Sequence, residues 1–555
     1  MTNTANISAA TPAWWKEATG YQIYPRSFCD SNGDGIGDIP GIISKLDHLQ
    51  ALGIGFIWLS PVYASPMDDN GYDISDYRAI APEFGTLEDF DRLVAEASAR
   101  NIRIVMDLVV NHCSNQHAWF KAACASADAP EHDLFIWRDA AADGGPPDAT
   151  IACFGGSAWT YVPQVGKYYF GFFSPSQPDL NWQNPTLRAD IYEMMNWWLD
   201  RGIGGFRMDV ISLIGKDVDA GVFEEGPDLH RFLQEMHRKT LAGRDVMTIG
   251  ESWSVSPQTA PLYCGQARSE LDMVFQFNHV MAGWDPTYGK WKPLPFDLVN
   301  FKRVMSEWQE ALAEDGWNSL FLSNHDLPRQ VSKYGDATHY RVASAKMLAT
   351  VIHLMKGTPF VYQGEEIGMT NVVFERIEQF RDIETLGNFK DVLSNVVTAE
   401  DFIAGANANG RDNARTPMQW SDAPQAGFSD GTPWIDVNPN YAEINVARDS
   451  TDPDGVLAHY RTLIALRHSH PIVVHGRYVP VAEEDASVFA YLRELGDQKL
   501  AVVANFTGQE VDFEVPKTLA GQGTCLITNG EAACDHLSGT IRLRPFEAFA
   551  VLLNA

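Results

Sequence analysis

In the run GFRMDVIS (205–212), one arginine and one aspartate, Arg207 and Asp209, interrupt an otherwise apolar, strand-like sequence. Residues two apart on a strand share a face, so both charges point the same way. A guanidinium beside a carboxyl group favours the anion, which predicts an ionised Asp209. An ionised carboxylate held at a strand end is what attack on a sugar carbon requires. Three further strand-like runs end on groups of the same kind. IRIVMDLVVNH carries Asp107 and ends on Asn111 and His112, VMTIGESW presents Glu251, and LFLSNHD leads into His325 and Asp326. Glycoside hydrolysis needs this inventory: one carboxylate attacks the anomeric carbon, a protonated one donates to the leaving oxygen, and further hydrogen bonds hold the ring. HExxH, GxSxG and the P-loop lysine motif are missing, which removes those rival chemistries.

The elements that must position these groups follow from periodicity. Short apolar runs (21–28, 54–61, 102–110, 203–211, 246–251, 273–277, 319–323 and 359–363) alternate with amphipathic helical stretches such as 87–100 and 187–201. Eight strands buried on both sides, with helices between them, predict an α/β fold, a parallel (β/α)₈ TIM barrel whose chemistry gathers at the strand C-termini. The barrel is expected over 1–107 and 184–475. A subdomain rich in glycine, proline and aromatics is inserted over 108–183, and a long excursion follows strand eight at about 365–420. After a helix around 456–468 the alternation changes to period two, which predicts a C-terminal antiparallel β-sandwich domain over 476–555.

Composition limits the partners. Against 42 basic residues stand 72 acidic ones, a net charge of −30, which argues against nucleic acid or an anionic membrane. No run of about 18 uncharged apolar residues is present, and the first twenty residues contain no apolar signal core. The reading is a cytoplasmic monomer or homodimer acting on a small oligosaccharide. Seven cysteines without a CxxC do not make a disulfide or zinc framework. Cys525 and Cys534 flank the hairpin signal Asn529-Gly530, which places them opposite each other; a reducing cytosol predicts two free thiols there.

DLVVNH, GFRMDV, GESW and SNHD together resemble, in order, the four signature regions of the α-amylase superfamily (glycoside hydrolase family 13). QPDLNW (177–182) and GTPFVYQGEEIGM (357–369) resemble its oligo-1,6-glucosidase and α-glucosidase branch. The resemblance implies Asp209 as nucleophile, Glu251 as general acid/base and Asp326 as transition-state stabiliser, with Arg207, His112 and His325 gripping the sugar. It implies that Asp73 and Arg415 close the pocket around the non-reducing end, that Tyr72 is a stacking platform, and that the enzyme acts exo with retention. Glu251 must then start protonated, its pKa raised by burial and by Asp209 and Asp326. Val210, after the nucleophile, resembles members acting on α-1,6 bonds, and Asp382 is placed to hydrogen-bond the aglycone. Sucrose isomerases resemble this chain too, but carry an RLDRD-like motif where this sequence reads FERIEQF (374–380). Finally, DSNGDGIGD sets Asp30, Asn32, Asp34, the Ile36 carbonyl and Asp38 at alternating positions, the start of a calcium loop with Gly41 where an EF-hand has its glutamate. The family binds Ca²⁺ or Mg²⁺ here in a structural role, and no organic cofactor is expected.

Overall fold

The computed structural model describes residues 13–392, 398–530 and 535–554. Eight strands form the barrel: β1 (Gly20–Ile23), β2 (Phe56–Leu59), β3 (Arg103–Leu108), β4 (Gly205–Met208), β5 (Met247–Glu251), β6 (Met273–Phe275), β7 (Ser319–Leu320) and β8 (Thr358–Tyr362). Each falls on one of the eight predicted runs. They pair in parallel in the order β6-β5-β4-β3-β2-β1-β8-β7. A parallel bridge from Val274 to Asn318 joins the two ends and nearly closes the ring. The strands read as continuous apolar runs because both their faces are covered. Phe56, Trp58, Val105, Met247, Ile249, Phe275, Phe321 and Phe360 share one cluster, while Ile57, Ile104 and Met106 belong to the larger one packed against the helices. Gly205 is fixed by close approach: at φ +138°, a Cβ there would lie 1.8 Å from the Met247 carbonyl oxygen.

Helices between the strands begin where the sequence offers caps. Thr86 and Asp89 form a reciprocal capping box on Leu87–Ser98, and the Asn184 side chain caps Pro185–Leu199. The segment after β3 folds into a three-stranded sheet (Trp137–Arg138, Lys167–Phe170, Trp159–Val162) leaning over the strand C-termini. The excursion after β8 carries helices Ile383–Val392 and Ala399–Asn409, anchored where Phe374, Phe380 and Phe402 pack on Trp291. At the C-terminus six antiparallel strands, in the spatial order Arg477–Val481, Val488–Leu495, Gln498–Asn505, Ala548–Leu553, Gly521–Thr528, His536–Leu537, form one sheet. The ribbon of Val511–Glu514 and Thr540–Leu543 packs on it through Phe513 and Leu543, completing a sandwich. No helix among the described residues is long and apolar enough to cross a membrane. Cys525 is disulfide-bonded, which corrects the expectation of a free thiol there; Cys534 lies outside the described residues.

Candidate active site

The barrel delivers its charged groups to one rim. Arg207, near the end of β4, is almost completely buried and acts as a hub. Its Nη1 donates to Asp107 Oδ1 at 2.8 Å and to Asp209 Oδ1 at 2.9 Å, and its Nη2 lies 2.5 Å from Glu251 Oε2. Asp209 and Glu251 are therefore held on adjacent nitrogens of a single guanidinium and face one space. The chain turns sharply after Asp209. Val210 adopts φ 35°, ψ 43°, the left-handed region that a β-branched residue enters only under strain of roughly 1–3 kcal/mol. That turn aims the Val210 amide at Glu251 Oε2 (3.0 Å), while the Trp253 indole donates to Oε1 (3.2 Å). The strain sits at Val210, between Asp209 and the amide contact to Glu251.

Electrostatics separate the acids. Burial pushes Asp107, Asp209 and Glu251 above the ordinary carboxylate range; Arg207 opposes this, and neighbouring carboxylates reinforce it. Glu251 is raised as expected. The pull of Arg207 on Asp209 is weaker than a single ion pair would give, because one guanidinium serves three buried carboxyl groups. Asp326 behaves differently. Burial would raise it, but contact with His325, Arg411 and Arg415 holds it well below the usual range. Burial brings His325 down to about 3, so its imidazole is neutral and the two guanidiniums carry the effect. Gln22 Nε2, 2.8 Å from His325 Nδ1, leaves Nε2 as the protonated nitrogen beside Asp326 Oδ2 at 3.1 Å. His112, also neutral with burial lowering it to about 4, reaches the Tyr72 carbonyl at 3.0 Å.

A cavity of about 220 Å³ opens between these groups, lined by Tyr72, His112, Asp209, Val210, Glu251 and Asp326 among others. Phe154, Phe172 and Phe173 of the inserted subdomain, with Trp253 and Trp284, form its apolar walls. Tyr72 donates its hydroxyl to Asp107 and stacks one face on His325 at 5.2 Å, which fixes the ring at the cavity wall. Arg207 and His325 stand immediately behind the lining.

Three site residues read from the sequence lie elsewhere than expected. Asp73 is fully buried and turned into its own loop, accepting from Ser65 Oγ and from the Asp68 and Asp69 amides. Arg415 is fully buried beneath Asp326, 2.8 Å from Oδ1, and also donates to the His325 carbonyl. The pair that reaches the cavity is instead Asp69 and Arg411, 3.0 Å apart. Asp382, likewise fully buried, spends its oxygens on Arg411 (2.5 Å) and Thr385, so it supports Arg411 rather than facing an aglycone. Sequence reasoning also missed Trp253, Glu224, Lys290 and Glu384 in the lining.

The comparisons agree with this geometry. Residues 22–476 match the family model described as "Alpha amylase, catalytic domain", and residues 488–549 the "Alpha-amylase SusG C-terminal domain". The chain is a glycoside hydrolase of the α-amylase family. It is 54% identical to the palatinase of Erwinia rhapontici over 97% of this chain and 98% of that one. It is 52% identical to the oligo-1,6-glucosidase of Halalkalibacterium halodurans over 96% and 98%. Among solved structures, the isomaltulose synthase of Klebsiella sp. LX3 superposes with a TM-score of 0.95 at 43% identity, over 98% of this chain and 100% of that one. Its α-amylase family relatives thus share both domains from end to end.

The loop from Asp30 to Asp38 stands apart from this site. Asp30 Oδ1 accepts from the Asn32 and Gly33 amides and Oδ2 from Gly35, while Asn32 and Asp34 each accept from the amide two residues on. Gly35, at φ +90°, passes so close to Thr432 that a Cβ would meet its carbonyl oxygen at 1.8 Å. Asp38 is the exception in the predicted set: its Oδ1 caps the helix Ile39–Ser44 through the Gly41 amide and its Oδ2 holds Ser31. Among the described residues no three Asp, Glu, His or Cys side chains gather closely enough to hold a metal by themselves.

Proposed function

We propose that this α-amylase family enzyme is an exo-acting, retaining α-glucosidase that removes non-reducing glucose from short oligosaccharides, with α-1,6 bonds preferred. The observation that carries the reading is Asp209 and Glu251 bound to one guanidinium beside a cavity of about 220 Å³. Retaining glycosidases require carboxyl groups roughly 5–5.5 Å apart, and here both sit on adjacent nitrogens of one arginine. In the reactive state the proton sits on Glu251. Glu251 gives it to the glycosidic oxygen as that bond breaks, and Asp209 closes on the anomeric carbon to form a β-glucosyl ester. Glu251, now ionised, takes a proton from water, which releases α-glucose. Asp326, held anionic between Arg411 and Arg415, stabilises the positive charge that develops on the ring. Asp69 and Arg411 close the far end of the pocket, which leaves room for one terminal glucose and supports exo-action.

Val210 supports the α-1,6 preference. Its side chain lies at the cavity wall beside Glu251, where it narrows the approach of a leaving sugar. One methyl group is worth a modest factor, about 10-fold. Glucose release from isomaltose, maltose, sucrose and panose tests the reading; isomaltose is expected to lead maltose by about that factor, and the reverse order would overturn the linkage assignment. On sucrose the hydrolase yields glucose and fructose. The likeness to isomaltulose synthase makes isomaltulose the product to look for if the backbone works as an isomerase instead.

The Asp30 loop supports a structural Ca²⁺ or Mg²⁺. Its donors are all oxygen (Asp30, Asn32, Asp34 and the Ile36 carbonyl), the set a hard cation takes; the exposed Asp34 keeps Oδ2 free of loop amides, and the exposed Asn32 keeps a second lone pair on the Oδ1 that accepts from Asp34. The loop is tied to the segment following the excursion after β8 through the Ser429–Asp30 and Trp434–Gly35 hydrogen bonds, so an ion there would fasten two distant parts of the chain. Chelation is expected to lower Tm by several degrees, with stability recovered on adding Ca²⁺. An unchanged Tm and no metal in the purified protein would remove the site.

A further inference from the structure

We infer that the leaving-group side of the pocket selects by charge: it takes uncharged or amino-bearing aglycones and turns away anionic ones, such as phosphorylated sugars. The inference rests on the α-glucosidase reading above. It comes from the ionisable groups around the cavity, where six carboxyl groups (Asp69, Asp209, Glu224, Glu251, Asp326, Glu384) face two cations, Lys290 and Arg411.

The deep acids are each paired from behind with Arg207 or Arg415. The rim is not. Glu251 marks the leaving-group side because it must protonate the departing oxygen. Two residues on, Trp253 forms the wall, and the Ser254 amide donates to Glu224 Oε2 at 3.0 Å. Glu224 also accepts from Ser212 at 3.2 Å, and among the described residues no cation lies within 4 Å of it. Lys290, the one lysine of the lining, is spoken for: its Nζ lies 2.5 Å from Glu384 Oε2, and the same carboxylate meets Arg411 Nε at 3.3 Å. Arg411 is further engaged by Asp69 and Asp382. Each cation is already paired with carboxylates, whereas Glu224 has no cationic partner among the described residues. An anionic aglycone would enter a field that repels it, with no guanidinium or ammonium to replace its hydration. The whole-chain charge of −30 adds to that field at long range.

The experiment uses three aryl α-glucosides that differ only at an insulated para substituent: hydroxymethyl, aminomethyl and carboxymethyl. The expected kcat/KM for the carboxymethyl compound is at least about 10-fold below the hydroxymethyl one, the aminomethyl compound equals or exceeds it, and the spread shrinks at high salt. Glu384→Gln, which frees Lys290, and Glu224→Gln should each raise the carboxymethyl compound relative to the hydroxymethyl one by about 3-fold or more. A carboxymethyl glucoside cleaved within 2-fold of the neutral one, or variants that move all three substrates equally, would overturn the charge assignment. Failure on all three substrates would instead count against the α-glucosidase reading itself.

Discussion

Asp209→Asn is expected to abolish hydrolysis while leaving the protein folded. Removing the attacking group of a double displacement costs about 10⁴-fold or more in kcat, and nothing else at the rim can take its place. Glu251 is engaged by the Val210 amide and Trp253, and Asp326 is locked under Arg411 and Arg415. Stability should move little, and not necessarily downward. The amide oxygen still accepts from Arg207, and the change removes one of three carboxyl groups crowded on a single guanidinium. Parallel measurement of Tm and kcat on isomaltose checks both halves. A variant with kcat within 100-fold of the parent would remove Asp209 from the central role, and one that fails to fold would make the residue structural.

Glu251→Gln should separate the two steps. Without its proton donor the enzyme loses about 10²–10⁴-fold on isomaltose, whose leaving alcohol needs protonation. A 4-nitrophenyl glucoside leaves unaided, so its first step survives. The ester on Asp209 then accumulates, because no carboxylate remains to deprotonate water, and a burst of nitrophenolate is expected before a slow steady state. Azide, which needs no base, should restore turnover and give a glucosyl azide. The pH profile supplies the sign. Burial and the nearby carboxylates raise Glu251, so activity in the parent persists above the ordinary glutamate range and falls as pH rises through that raised pKa and the acid is lost. In the variant this alkaline limb should disappear for the activated substrate. Equal losses on both substrates, with no burst and no azide effect, would assign Glu251 a role other than acid/base.

The parts of this molecule legible in sequence were those with a simple physical cause. Every barrel strand is covered on both faces and so reads as an apolar run, and Asp209, Glu251 and Asp326 stand out because a charge within or just beyond such a run needs a reason. The barrel and the C-terminal sandwich followed from changes in period, and the insertion from a stretch rich in glycine, proline and aromatics. What the sequence could not rank was a choice between like residues a few positions apart. DDNGYD offers Asp69 and Asp73, and RDNAR offers Arg411 and Arg415. In the fold Asp73 is consumed by the amides of its own turn and Arg415 by the loop carrying Asp326, which leaves Asp69 and Arg411 to reach the cavity. The one available signal was the Asn70-Gly71 turn, since a tight turn calls for an acceptor beside it, and Asp73 takes the Asp68 and Asp69 amides there. Asp382 was misread for a related reason: an acid on a long excursion looks exposed, yet here it is the buried counter-ion of Arg411. The sharing of Arg207 was also beyond reach, since two of its three partners, Asp107 and Glu251, come from other strands, and that sharing dilutes its pull on Asp209.

All of these assignments require a glucosyl group to be displaced twice at one carbon, first by Asp209 and then by water guided by Glu251. Proton NMR of the first minutes of isomaltose or aryl α-glucoside hydrolysis reads this directly, before the sugar mutarotates. The α-anomer of the released glucose should appear first, with the β-anomer growing in only at the rate of spontaneous equilibration. Initial release of β-glucose would mean a single displacement by water, and the pairing of Asp209 and Glu251 as nucleophile and acid/base would be wrong.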